Sequence, residues 1–190
     1  MSSYPYMVQT AWDAVHSMIE QWQHNPYQWS KERDVQVELA SRLKKVYELT
    51  GYSSILGNYP KAIRGFENNQ LWARVSCEPS ISYIYKDGKK YKCYPDVVIW
   101  DDIKNPNSPP DSEGDKNWPI LWACEIKYDT STNSSWDLEK MSYLVDQKIV
   151  KFGCWLKIES RRTKKGDGIN WENKKSGARL WVCQVNLPSL

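Results

Sequence analysis

The chain has 190 residues, enough for about one domain that buries a core without metal or disulfide staples. Its 41% apolar and 26% charged content is ordinary for a globular protein, which excludes a disordered or fibrous chain. A net charge of +3 is too small to argue for nucleic-acid binding by itself, and no apolar run approaches the roughly 20 residues of a membrane span.

Residues 7–23 carry Val8, Trp12, Val15, Ile19 and Trp22 at helical spacing and predict an amphipathic helix, broken by Asn25-Pro26. A second helix is expected from Ser30, as N-cap, to Leu49, with the apolar stripe Val35, Leu39, Leu43 and Val46, and Gly51 as its stop. Glu32 falls within that stripe and Glu38 on its flank, and a carboxylate on a packed face needs a reason.

From Leu71 the period changes to two. Residues 71–77 and 81–85 read as strands, Asp87-Gly88 is a hairpin turn signal, and the chain returns from Tyr91 to Trp100. The acidic, Pro-rich segment 101–117 reads as a loop, 120–128 as a strand, 136–148 as a helix capped by Ser135, and 152–158 as a strand. A basic stretch and a last strand, 179–185, follow. The order predicts an α/β domain of α+β variant, in one piece over residues 1–190, with a mixed central sheet.

The strand 121–128 alternates. Trp122, Cys124, Ile126 and Tyr128 share one face, and Glu125 and Lys127 the other, about 7 Å apart along the strand. Upstream, Asp96 follows Pro95 and opens the run Val97 to Trp100. An aspartate that opens one strand, beside a strand carrying Glu-x-Lys, suits a hard divalent cation, which takes oxygen ligands. Asp96, Glu125 and the backbone carbonyl of Ile126 are the expected ligands. Lys127 is placed to assist a water or neutralise charge, and Glu32 to orient the water or take a second ion.

The sequence Tyr94-Pro95-Asp96 followed by Glu125-Ile126-Lys127 resembles the PD-(D/E)XK nuclease superfamily, which includes type II restriction enzymes and archaeal Holliday-junction resolvases. Glu32 resembles the glutamate that opens the first core helix of many members, with Glu38 in reserve. Asp137-Leu138-Glu139-Lys140 resembles the polar D-x-x-K element on the helix after the catalytic strand of small members. The resemblance spans residues 30–148. It implies a restriction-endonuclease-like mixed sheet of at least four strands flanked by helices, in a core of about 30–158. It also implies an Mg²⁺-dependent nuclease, with Mn²⁺ as a substitute, acting on duplex, branched or single-stranded DNA. Members often act as dimers, so a homodimer is open, although no heptad pattern is present.

Plainer readings stand beside these. Glu125 and Lys127 could be a surface ion pair, and Asp137 and Lys140 an i, i+3 helix pair. The basic residues Arg161, Arg162, Lys164, Lys165, Lys174 and Lys175 suit a phosphate backbone, but basic runs are often only solvated. The five scattered cysteines form no CxxC pair, so no zinc knuckle is expected, and they suggest a reducing, cytoplasmic compartment. The start MSSYPYMVQT predicts no secretory leader. Two readings of other classes remain. One is a nuclease-like module that binds nucleic acid or a protein without cutting. The other is an assembly component that presents the chain's 11 Trp and 12 Tyr as an interface.

Overall fold

The computed structural model describes residues 4–26, 28–57, 70–102, 120–129, 135–162, 169–173 and 179–187. The chain begins with two helices, α1 (Tyr4–His24) and α2 (Glu32–Thr50). Seven strands follow: β1 (Ser54–Gly57), β2 (Gln70–Ala73), β3 (Val75–Cys77), β4 (Ile81–Ile84), β5 (Lys90–Cys93), β6 (Val97–Trp100) and β7 (Ile120–Tyr128). Helix α3 (Ser135–Asp146) leads to β8 (Val150–Arg162), β9 (Ile169–Asn173) and β10 (Leu180–Leu187).

The central sheet is mixed and six-stranded, in the order β3-β6-β7-β8-β10-β9. Strands β7, β8 and β10 run parallel, and antiparallel neighbours flank them on both sides. Helix α3 makes the crossover that a parallel β7–β8 pair requires. Strand β7 is covered on both faces, which explains its nearly unbroken apolar run. On one face, Trp122, Cys124, Ile126, Leu156 and Val185 pack under α1 and α2. On the other, Val98, Ala123, Trp155 and Val182 pack against Met141, Leu144 and Val145 of α3.

Tertiary pairing departs from the local pattern in several places. The expected strand 71–77 is cut at Arg74: β2 pairs with β1 in a separate ribbon, whereas β3 joins the central sheet. The expected return from Tyr91 to Trp100 is cut at residues 94–96, so β5 pairs with β4 and β6 with β7. Helix α2 starts one residue later than expected, with Lys31 rather than Ser30 at the N-cap. The Ser30 hydroxyl donates to the Asp34 carboxylate (2.8 Å) instead of accepting from the helix. Asp34 also takes the backbone N–H groups of Ser30 (2.9 Å) and Lys31 (3.2 Å), which fixes the turn into the helix. At the other end Gly51 adopts φ 77°, the left-handed cap expected of it.

Four cysteines, Cys93, Cys124, Cys154 and Cys183, are buried and unbridged; Cys77 is exposed. Among the described side chains the tryptophans do not form an outer surface. Among the described side chains Trp22, Trp29, Trp122 and Trp155 are buried, and only Trp136 is exposed. No helix among the described residues is long and apolar enough to cross a membrane.

Candidate active site

Three elements converge at one end of β7. Val97 of β6 pairs with Cys124 of β7, so Asp96, the residue before Val97, arrives beside Glu125. The first turn of α2 brings Glu32, and the first turn of α3 brings Asp137 and, one turn on, Lys140.

Asp96 is held on every side. Its Oδ2 accepts the N–H of Ile126 at 2.6 Å. Its backbone carbonyl accepts from the Gln36 side chain (2.8 Å) and from the N–H of Glu78 (3.2 Å). Gln36 is buried, and Arg33 donates to its amide oxygen at 2.6 Å and to Glu78 at 2.9 Å. Gln36 was not singled out from the sequence. The spacing Glu32, Gln36, Leu39, Leu43 would have shown it, because a polar residue there lies on the packed face of the helix.

Lys127 is the hub of the charges. Its Nζ lies 3.1 Å from Glu125 Oε1, 3.4 Å from Asp137 Oδ2 and 3.7 Å from Glu32 Oε1. Lys140 Nζ lies 2.8 Å from Asp137 Oδ1 and 3.5 Å from Glu125 Oε1. The exposed-pair reading of Glu125 and Lys127 is excluded, since their side chains are 6% and 13% exposed. Asp137 and Lys140 do form the i, i+3 pair, and that pair is built into the cluster. Glu32 is less buried than the helical stripe implied, at 36% exposure, because the first turn of α2 lies at the rim. Glu38 is not brought in. Six residues beyond Glu32, it sits about 240° around the helix and pairs with Arg42 at 2.7 Å.

Four carboxylates and two ammonium groups leave the cluster with an excess of negative charge. Burial pushes Asp96 up from 3.8 to about 7; the Ile126 N–H pulls it down, while Glu125 and Glu32 push it further up. Burial also raises Glu125, partly offset by Lys140 and Lys127. Burial works against the charged forms of Lys127 and Lys140, but the surrounding carboxylates outweigh it and hold both ammonium groups above the ordinary lysine range. Burial would likewise raise Asp137, and the two lysines outweigh it and hold the carboxyl below its usual range.

The donor set fits a hard divalent cation. Glu125 Oε2 is buried and has no hydrogen-bond partner, whereas Oε1 is held by both lysines. An unserved carboxylate oxygen costs at least about 1–3 kcal/mol, so a partner is called for. The N–H and C=O of one strand residue point the same way. The Ile126 carbonyl is therefore directed to the side on which its N–H meets Asp96. No group of three or more His, Cys, Asp or Glu side chains is arranged for a metal among the described residues. A cation here would rest on two carboxylates and a backbone carbonyl, the sparse set that Mg²⁺ accepts alongside water and phosphate.

The expected phosphate-binding residues are not brought into this picture. Lys164, Lys165, Lys174 and Lys175 lie outside the described residues, as do the side chains of Arg161 and Arg162. No protein-family model, no curated protein and no solved structure matches the chain.

Proposed function

We propose that the protein is a Mg²⁺-dependent nuclease of the PD-(D/E)XK kind that hydrolyses phosphodiester bonds in DNA. The observation that carries this reading is the buried, unpartnered Oε2 of Glu125 beside Asp96, in a cluster whose carboxylates outnumber its lysines. Asp96, Glu125 and the Ile126 carbonyl would hold the cation. When bound, such an ion polarises the phosphate and acidifies a water.

The chain's own groups do the remaining work. Lys127, charged at any working pH, donates to the phosphate oxygens and offsets the charge that builds there during attack. Lys140 and Lys127 together fix Glu125 Oε1, which leaves Oε2 for the ion. Asp137 holds both ammonium groups in place. Glu32, at the open side of the cluster, orients the attacking water.

The test is cleavage of plasmid and of linear, branched and single-stranded DNA, with Mg²⁺ or Mn²⁺ and with chelator. The expected result is metal-dependent cutting that is lost in Asp96→Ala. Failure of the folded wild type to cut any substrate or to bind metal would overturn the proposal and leave a non-catalytic binding module.

A further inference from the structure

Asp96 is the one residue of the cluster that no helix or strand holds. It falls between β5, which ends at Cys93, and β6, which begins at Val97. Its carboxylate nevertheless extends the sheet. Val97 pairs with Cys124, and two residues further along β7, beyond the start of β6, the Ile126 N–H meets Asp96 Oδ2 instead of a strand. Glu125 and Glu32 act on this buried carboxylate as like charges. Such repulsion drives a carboxylate out of a metal-free site unless its backbone is anchored.

The anchor is a closed ring of hydrogen bonds. The Asp96 carbonyl accepts from Gln36 Nε2 at 2.8 Å and from the Glu78 N–H at 3.2 Å. Arg33 Nη1 closes the ring, donating to Gln36 Oε1 at 2.6 Å and to Glu78 Oε1 at 2.9 Å. Helix α2, the residue after β3 and the approach to β6 are thereby tied at one carbonyl.

Two members carry a cost that the ring offsets. Gln36 is 1% exposed, and an amide so buried is tolerated when its donor and acceptor are both served. Glu78 is held at φ 49°, in the left-handed region where a residue other than glycine is strained. Strain of that kind persists where the surroundings over-determine the backbone. Arg33 follows Glu32 in the first turn of α2, so the ring also sets Glu32 relative to Asp96.

We propose that Gln36, Arg33 and Glu78 are positioning residues for the cation. Their ring holds Asp96 and Glu32 in the binding arrangement before the ion arrives, against the repulsion among the site's own carboxylates. This rests on the metal site of the nuclease reading. It makes affinity and stability move apart. Cutting a ring that only supports the fold lowers both together. Cutting one that holds like charges in place lowers affinity alone, because the carboxylates then relax away from one another.

Full-length wild type, Gln36→Met and Glu78→Gly are compared in three measurements. Mn²⁺ affinity is read by calorimetry, and the urea midpoint and the exchange of the Ile126 amide by NMR are read in chelator. Gln36→Met keeps the volume and leaves the Asp96 carbonyl its Glu78 donor. It is expected to weaken Mn²⁺ binding about tenfold and to move the midpoint little. Its Ile126 amide exchanges about tenfold faster, while the neighbouring amides of β7 keep their rates. Glu78→Gly removes the left-handed strain together with the Arg33 contact. Its midpoint is expected to equal or exceed that of wild type while Mn²⁺ binding weakens at least about threefold. Wild-type affinity and wild-type Ile126 exchange in both variants would overturn the ring's role. So would an affinity loss matched by a fall in midpoint in both, which makes the ring a support of the fold only. Those outcomes sink the positioning role alone, whereas a folded wild type that binds no Mn²⁺ sinks the metal site and this inference with it.

Discussion

Asp96→Asn should stabilise the metal-free protein above neutral pH. Asp96 ionises near 7 in the folded chain and near 3.8 when its surroundings are lost. Between those values the folded chain holds a proton that the unfolded chain has released, so stability falls as pH rises through that window and stays lower above it. The full difference is roughly 4 kcal/mol, at about 1.4 kcal/mol for each pH unit. Asparagine carries no charge, and its amide oxygen can still accept the Ile126 N–H that now meets Oδ2. Its NH₂ group brings a new donor that costs about 1–3 kcal/mol if unserved. The net gain is then about 1–3 kcal/mol near pH 8; near pH 4 the folded aspartate is protonated and the unfolded one about half so, most of the ionisation penalty is gone, and the variant is no more stable than wild type. Urea unfolding in chelator, followed by tryptophan fluorescence at both pH values, reads this directly. Added Mg²⁺ should reverse the order, since wild type gains about 2.7 kcal/mol at a hundredfold excess over Kd and Asp96→Asn gains little. A variant no more stable than wild type near pH 8, or an equal difference at both pH values, would refute the reasoning.

Three further substitutions probe other parts of the account. Lys127→Met should lower kcat about 10²–10³-fold in the cleavage assay. Its metal affinity should be unchanged or tighter, because a positive neighbour is removed; a loss of metal binding would instead make Lys127 a support for the ligands. Arg74→Ala should cost about 1–3 kcal/mol in urea unfolding, because the carbonyls it serves are left without a donor. The buried guanidinium bonds the carbonyls of Tyr52 (2.8 Å), Trp100 (3.1 Å) and Ser54 (3.2 Å) and the carboxylate of Asp102 (2.6 Å). A loss under about 1 kcal/mol would mean that it does not tie the β1–β2 ribbon to the sheet. Gly153→Ala should lower the urea midpoint by about 1–3 kcal/mol equivalent. Its Cβ would come within 2.8 Å of Val145 Cγ2 and 2.9 Å of Leu180 Cδ1 beneath α3; an unchanged midpoint would show that α3 gives way freely.

The three helices and most of the sheet were legible in the sequence because burial writes a period onto it. Trp22, Val35, Leu39 and Leu43 are all fully or nearly buried where the helical spacing placed them. Strand β7 alternates as read, with Trp122, Cys124 and Ile126 under the first two helices and Glu125 facing α3. Pairing is not local, so its breaks were hidden. Nothing in the run 71–77 marks the switch of sheets at Arg74, and the buried arginine that makes it reads locally as an ordinary charge. Strands β1 and β9 are short, and they escaped notice in polar surroundings. In the site, Asp96, Glu125, Lys127, Asp137, Lys140 and Glu32 could be named from motif order and are brought together. Gln36 was readable only as a polar residue on the packed face of α2, and Arg33 not at all, because Asp96 and Glu78, which they hold, lie across the fold.

The claim at the centre is that Asp96 and Glu125 hold a divalent cation. Calorimetric titration of wild type and Glu125→Gln with Mn²⁺, near pH 7, tests it most directly. The account predicts saturable binding by wild type, with proton release because Asp96 is partly protonated there, and at least tenfold weaker binding by the variant. Equal affinities in the two proteins, or no binding by folded wild type, would contradict it.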